Sequence, residues 1–224
     1  MIVAATRSKR HNVNMPGTLL PLFPLPVVVF PRTRLPLHVF EERYKEMVGE
    51  AIESPSEFGI VPIDSEQSLF QAGCTVVVEE VLKKYPDGRL DIMTAGRRRF
   101  ELLFLNEEKS YLRAEVAFFD DEEPSPASPD VRRRALRLFR SLIALGESRP
   151  HGDPLLTDPQ LSFQIAQSIP DFEFQKQLLG SRIEVDRLRW VVDYLTEYLP
   201  KRQGVIRMER LAPTNGHGAR PVDI

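Results

Sequence analysis

The stretch that decides the fold runs from Leu19 to Tyr44, LLPLFPLPVVVFPRTRLPLHVFEERY, an apolar run broken by Pro21, Pro24, Pro26, Pro31 and Pro36 and followed at once by a charged helix start. Proline fixes φ and lacks a backbone donor, so none of the five is expected in a central strand or a helix interior. Only short pieces are left to pair. Val27-Val28-Val29-Phe30 is β-branched and apolar on both faces, and is expected to be a buried strand.

Outward from this segment, residues to about 119 favour strands. Val76 to Val78 with Val81, Leu90 to Met93, Phe100 to Leu105 and Tyr111 to Phe119 are the candidates, and Tyr111 to Val116 alternates with the period of a half-buried strand. Pro86-Asp87-Gly88 supplies a turn, proline presetting φ and glycine tolerating a positive one. One helix is expected from about Glu41, with Tyr44, Met47, Val48 and Ala51 on its buried face. The segment 120–130, DDEEPSPASPD, is acidic and proline-rich, and reads as a solvated linker and domain boundary.

Beyond it the period becomes helical. Val131, Ala135, Leu138, Leu142 and Leu145 share a face, with Arg132, Arg133, Arg134, Arg137 and Arg140 expected on the solvent side. Asp158-Pro159 reads as an N-cap with proline at the first helical position, ahead of the buried pair Leu161 and Ile165. A short helix is expected from Phe172 to Gly180. Ser181 and Glu184 have capping-box spacing for a last helix carrying Val185, Leu188, Val192, Leu195 and Leu199 and ending at Pro200.

The motifs Leu20 to Leu25, Phe30-Pro31, Leu35-Pro36-Leu37 and Phe40 to Tyr44 resemble the opening of the Lon N-terminal, substrate-binding domain family. Phe58 to Val61, Gly73 to Val76, Pro86 to Arg89 and Gly96 to Phe100 are similar to its later strands and hairpin, in the same order. One departure is Arg32-Thr33, where many members place glycine after Phe-Pro. The resemblance covers about residues 19–119 and continues more loosely to Leu199. It implies an α+β fold, a β-rich pseudo-barrel of the PUA-like type followed by an α-helical bundle. The organisation expected is a disordered leader over 1–14, with Met15 as an alternative start, a β-rich domain over 15–119, the linker over 120–130, a helical bundle over 131–211 and a disordered tail over 212–224.

Composition sets limits on function. A formal charge of −2 with 28% charged residues gives no overall pull toward nucleic acid or membrane. No apolar run reaches the ~20 residues that span a bilayer, and the first fourteen residues hold no secretory h-region, so the chain is expected to be cytoplasmic. Cys74 is the single cysteine, which excludes an intramolecular disulfide and a cysteine-based zinc cluster. Its strand-like setting reads as a small buried hydrophobe. His11, His38, His151 and His217 lack metal-ligand spacing, so neither metal nor cofactor is expected. There is no G-x-x-x-x-G-K-[ST] phosphate loop, and no general acid, base or nucleophile stands out.

The resemblance therefore implies a free-standing, non-catalytic module that recognises exposed apolar segments of unfolded or degron-bearing proteins and peptides, with a protease or chaperone as a further class of partner. The region expected to bind them is Leu22, Phe23, Arg32, Arg34, Leu35, Leu37 and Phe40, held in rigid proline-rich loops. The alternative is a regulatory RNA-binding protein that uses Arg97, Arg98 and Arg99 and the arginine-rich helix of Arg132, Arg133, Arg134, Arg137 and Arg140, by analogy with PUA-like folds. Salt separates the two: phosphate contacts weaken steeply with ionic strength, apolar capture does not.

Overall fold

Pro21 and Pro24 lie inside the first strand, β1 (Leu20–Leu25), and that strand is central, between two others. The computed structural model describes residues 19–122, 127–146 and 152–211, without the side chains of 209–211. The leader over 1–14, Met15, residues 123–126 of the acidic segment and the tail over 212–224 lie outside the described residues, as do His11, His151 and His217.

The expected strand Val27–Phe30 is not one; the sheet takes β1 instead. Alternation explains how two prolines fit. Leu22 N–H donates to Leu112 O at 2.8 Å, so Leu20, Leu22 and Pro24 direct their backbone groups to one side, and Pro21, Phe23 and Leu25 to the other. On the first side pairing covers only Leu20 and Pro21, and on the second it begins at Leu22. Each missing N–H thus falls where no partner strand lies.

Five further strands follow: β2 (Arg34–Val39), β3 (Phe58–Pro62), β4 (Ala72–Lys84), β5 (Leu90–Asn106) and β6 (Arg113–Phe119). The sheet order is β2-β5-β4-β3-β1-β6, and β5 also pairs with β6, so five of the strands close on themselves with β2 as an outer edge. Closure is possible because β5 is 17 residues long. Its first half pairs with β2 and its second half with β6, which makes one strand of the two pieces expected at Leu90–Met93 and Phe100–Leu105. Inside the closed sheet Leu22, Val61, Phe100, Ala114 and Val116 form one core. Gly59 and Gly73 leave room for the Phe100 ring, whose Cζ would lie 2.6 Å and 2.4 Å from any Cβ built there.

The helices are α1 (Glu42–Glu53), α2 (Pro129–Ala144), α3 (Leu161–Ala166), α4 (Phe172–Gly180) and α5 (Glu184–Leu211). The four residues expected on the inner face of α1 are its buried ones. A second, larger core joins α1 and the sheet to α2–α5, and Phe30 stacks on Phe163 across it at 5.0 Å. The architecture is α+β.

Several local expectations need correction. Arg132 is buried rather than on the solvent face, where its Nε donates to Leu156 O at 2.6 Å. Asp158 does not cap a helix at Pro159: α3 starts at Leu161, and the Asp158 carboxylate is held by Gln160 N–H and Gln164 Nε2. Glu184 does not close a capping box with Ser181, because its carboxylate accepts from Ser162 N–H at 3.0 Å and Ser162 Oγ at 2.5 Å. Finally, α5 runs through Pro200 to Leu211. Pro200 and Thr196 are both exposed, so the one intrahelical bond that proline cannot make is lost at the helix surface rather than in the core, and the helix continues.

The turn joining Phe30 to β2 locks onto β5 at Gly96. Arg32 N–H donates to Gly96 O and Gly96 N–H to Thr33 O, each at 2.8 Å, and a Cβ on Gly96 would lie 2.1 Å from Phe30 O. Since the obstacle is backbone, Gly96→Ala is expected to cost about 2–3 kcal/mol in urea unfolding. Gly49→Ala, inside α1 with nothing within 4 Å, is expected to gain about 0.5–1 kcal/mol. Equal effects at the two positions would contradict the account.

Candidate functional site

The groove that best fits a recognition role lies where the sheet meets the helices. One wall is the loop Pro26–Val29 with Thr33, Arg34 and Leu35, and the other is the segment from Gln167 through Phe172 to Gln175, enclosing about 400 Å³. Val27, Val28, Leu35, Ile169, Pro170 and Phe172 make it largely apolar. Both walls are fixed from behind. Gln175 Nε2 donates to Ala166 O at 2.9 Å and Ile169 O at 3.0 Å, and Asp171 caps α4 by accepting from Phe174 N–H at 2.9 Å.

The first wall is held by Arg32, whose φ of +62° lies in the left-handed region that favours glycine. This is the position where the family commonly has glycine after Phe-Pro. Thr33 stabilises the turn, its Oγ accepting from Phe30 N–H at 3.1 Å and donating to Phe30 O at 2.6 Å. The Arg32 guanidinium reaches across to Asp158 Oδ1 at 2.6 Å, tying the turn to the segment before α3.

Below the groove is a buried ionic cluster. Arg99 donates to Leu179 O at 3.1 Å, to Ser181 O and to Asp121 Oδ1 at 2.5 Å, and lies over the rings of Phe119 and Phe163. Arg187 donates to both Asp121 oxygens, at 2.6 Å and 2.7 Å, to Ser181 O at 2.9 Å and to Glu184 Oε2 at 2.8 Å. Two guanidinium groups thus face two carboxylates. Burial pushes Arg99 down to about 10, offset in part by Asp121. Burial raises Asp121, but the Arg187 hydrogen bond and the two arginine charges more than reverse this and leave it below its ordinary 3.8. Burial lifts Glu184 above 4.5, against its bonds to Ser162 and Arg187.

Of the residues expected at the site, Leu22 and Phe23 are buried strand residues, the first inside the closed sheet and the second stacked on Tyr44 at 4.0 Å. Leu35 and Leu37 lie in β2 rather than in loops, half-buried, and only Leu35 lines the groove. Phe40 is 59% exposed and stacks on His38 outside the groove. Arg34 lines it and pairs with Glu79 at 2.8 Å. Arg97 and Arg98 are exposed, whereas Arg99 points inward and its guanidinium is fully engaged. Arg32, Arg34, Arg97 and Arg98, drawn from two rival expected sites, line one pocket beside the groove.

Sequence reasoning missed the second wall, Ile169 to Phe172, and the partners Asp121, Asp158 and Arg187. Pro170 before Asp171 was the available signal of a rigid loop; nothing local marked which acids would be buried. Cys74 is fully buried, with burial raising its thiol to about 12, so it is inert to nucleophilic chemistry. Among the described residues there is no cluster of three or more metal-ligating side chains, and no helix is long and apolar enough to cross a membrane.

Comparisons with known proteins bear on this geometry. The model of the ATP-dependent protease La (LON) substrate-binding domain matches residues 19–203. A Lon protease from Parabacteroides distasonis is 28% identical over 122 residues, 51% of this chain and 15% of that protein, so the chain spans about a seventh of that relative. The crystal structure of a Lon N-terminal domain protein from Xanthomonas campestris superposes with a TM-score of 0.65 at 24% identity, covering 79% of this chain and 98% of that one. The N-terminal domain of a Mycobacterium avium complex Lon protease gives 0.59 at 18% identity, covering 81% of this chain and all of that one. At these identities the two structures show the shared fold.

The ionic cluster predicts a pH signature. With its folded pKa below the unfolded value of 3.8, Asp121 contributes stability that is present above 3.8 and lost as pH falls through the depressed folded value. Glu184 runs the other way, its contribution present below 4.5 and lost as pH rises through its raised folded value. Asp121→Asn, which leaves two buried arginines facing one carboxylate, is expected to cost about 3–5 kcal/mol at pH 7. Urea titrations from acid to neutral pH should also show a flatter acid limb in the variant; an unchanged limb would remove Asp121 from the account.

Proposed function

Because the chain belongs to the LON substrate-binding domain family, whose model matches residues 19–203, we propose that it captures exposed apolar segments of unfolded or degron-bearing proteins in the groove between sheet and helices, without catalysing a reaction. The observation that carries this reading is the apolar groove itself, lined by Val27, Val28, Leu35, Ile169, Pro170 and Phe172. Capture requires no acid, base or nucleophile. The acidic group in the lining, Asp171, is spent on capping α4.

Each client side chain moved from water into such a groove contributes about 1.5–3 kcal/mol before the costs of ordering the peptide. A few side chains then give affinities of roughly micromolar to millimolar. The proline-rich wall and the Gln175 hydrogen bonds help by keeping the groove formed before a client arrives, which lowers the ordering cost. Weak, fast-exchanging capture suits a module that hands segments on to a protease or chaperone. The RNA reading draws on Arg97, Arg98 and Arg99, of which Arg97 and Arg98 are exposed and Arg99 is committed to Asp121.

A competing apolar surface exists at the β5–β6 hairpin, where Leu103, Phe104 and Leu105 are 52%, 70% and 50% exposed. Binding of a reduced, carboxymethylated protein separates the two by fluorescence anisotropy. Phe172→Asp and Leu35→Asp are expected to weaken it about ten-fold, while Phe104→Ser changes it less than about two-fold. Thermal melts verify that each variant is folded. Loss of binding in Phe104→Ser with the groove variants unaffected would move the site to the hairpin and overturn the proposal.

A further inference from the structure

Where the apolar groove ends, its lining residue Arg34 also lines a second pocket of about 560 Å³, formed with Arg32, Arg97 and Arg98 against Glu57 and Glu79. Four guanidinium groups face two carboxylates there, on a chain whose formal charge is −2. We propose that this pocket is an anion subsite continuous with the groove, so that the segments captured are apolar stretches followed by acidic residues, whose side-chain carboxylates accept hydrogen bonds from the arginines. The inference rests on the reading of the groove as the recognition site and adds the charge of the client.

The state of each arginine supports it. Arg97 is exposed and makes no ion pair or side-chain hydrogen bond among the described residues. Arg98 Nε stands 3.8 Å from Glu57 Oε2, too far for a hydrogen bond, and its guanidinium is held 3.7 Å from the centre of the Phe118 ring. Arg32 and Arg34 are paired with Asp158 and Glu79 but remain about half and nearly three-quarters exposed. A guanidinium carries five donors, so both retain donors for a further carboxylate.

The positions are fixed rather than chance. Within β5, Arg97 and Arg98 follow directly on Gly96, the residue on which the Arg32 turn is locked, so the two pairs of arginines are held together by backbone hydrogen bonds. Four arginines line the pocket, and the backbone N–H groups of its Gly96 and Arg98 are bonded to Thr33 O and Thr75 Oγ, which fits carboxylates along a passing chain better than a chain end held in a backbone nest. Arg99 shows the contrast: with Asp121 beside it, it takes no part.

The test uses the whole chain and three peptides with one apolar core of Leu, Val and Phe and an amidated C-terminus, followed by two Asp, two Ser or two Lys. The expected order of affinity is Asp over Ser over Lys, with the Asp peptide ahead of the Ser peptide about three- to ten-fold at low salt and by little near molar salt. Arg97→Ala should shrink that advantage and leave the Ser peptide unchanged; Arg97→Glu should reverse the order. Equal binding of the Asp and Ser peptides, or a preference that survives Arg97→Glu, overturns the inference while the groove reading stands. If no peptide binds, the groove reading fails and the inference with it. An RNA pool that binds with Arg97 dependence while the Asp peptide gains nothing over Ser overturns it in favour of nucleic acid.

Discussion

The arrangement of this molecule depends on the ion cluster of Arg99, Asp121, Arg187 and Glu184. Arg99 belongs to β5, Asp121 to the chain just past β6, Ser162 to α3, and Glu184 and Arg187 to the first turn of α5, so a single cluster joins the closed sheet to the helices. Such a cluster is a poor source of net stability, because removing charges from water offsets most of their attraction. Its effect is on geometry. Apolar surfaces tolerate small slides, but a bidentate pair such as Arg187 on both Asp121 oxygens does not, and each alternative docking of helices on sheet would leave a buried charge without its partner.

The groove inherits this rigidity. Its two walls come from separate parts of the chain, and both are tied to β5 within four residues of each other. Gly96 anchors the Arg32 turn by two backbone hydrogen bonds, and Arg99 holds the carbonyls of Leu179 and Ser181 at the end of α4. A bulge in the strand then decides what lies between: Arg97 and Arg98 lie opposite the single residue Thr75, which leaves both at the surface and turns Arg99 inward. One short run of β5, Gly96 to Arg99, therefore sets the width of the groove and the charge beside it.

Much of this was legible in the sequence, and what was not has a common cause. Elements set by local rules appeared where expected: α1 by its periodicity, the Pro86–Gly88 turn by its residues, α4 by its bounds. The misreadings came where a side chain had two uses and tertiary structure chose the distant one. Asp158 and Glu184 have cap spacing, yet one serves Arg32 and the other serves Ser162 and Arg187. The placement of Leu22 and Phe23 differs for a related reason: proline suggested loops, whereas a strand admits a proline whose missing N–H faces no neighbour, and both residues lie buried in β1. The apolar groove could not be seen because Ile169 to Phe172 lies more than a hundred residues from Leu35.

Arg32 shows how these constraints combine. A non-glycine residue at φ +62° carries strain of order 1 kcal/mol, and the surroundings must make good that cost. Here the backbone is pinned to Gly96, as a glycine's could be, and the side chain adds what glycine could not supply, a cation for a carboxylate that is itself buried. Glycine would relax the backbone, but it would leave Asp158 with only Gln160 and Gln164 as donors and loosen the wall of the groove. The departure from the family's usual residue is therefore coupled to Asp158. The two positions are expected to be exchanged together, since either alone leaves a strained turn without its anchor or a buried acid without its base.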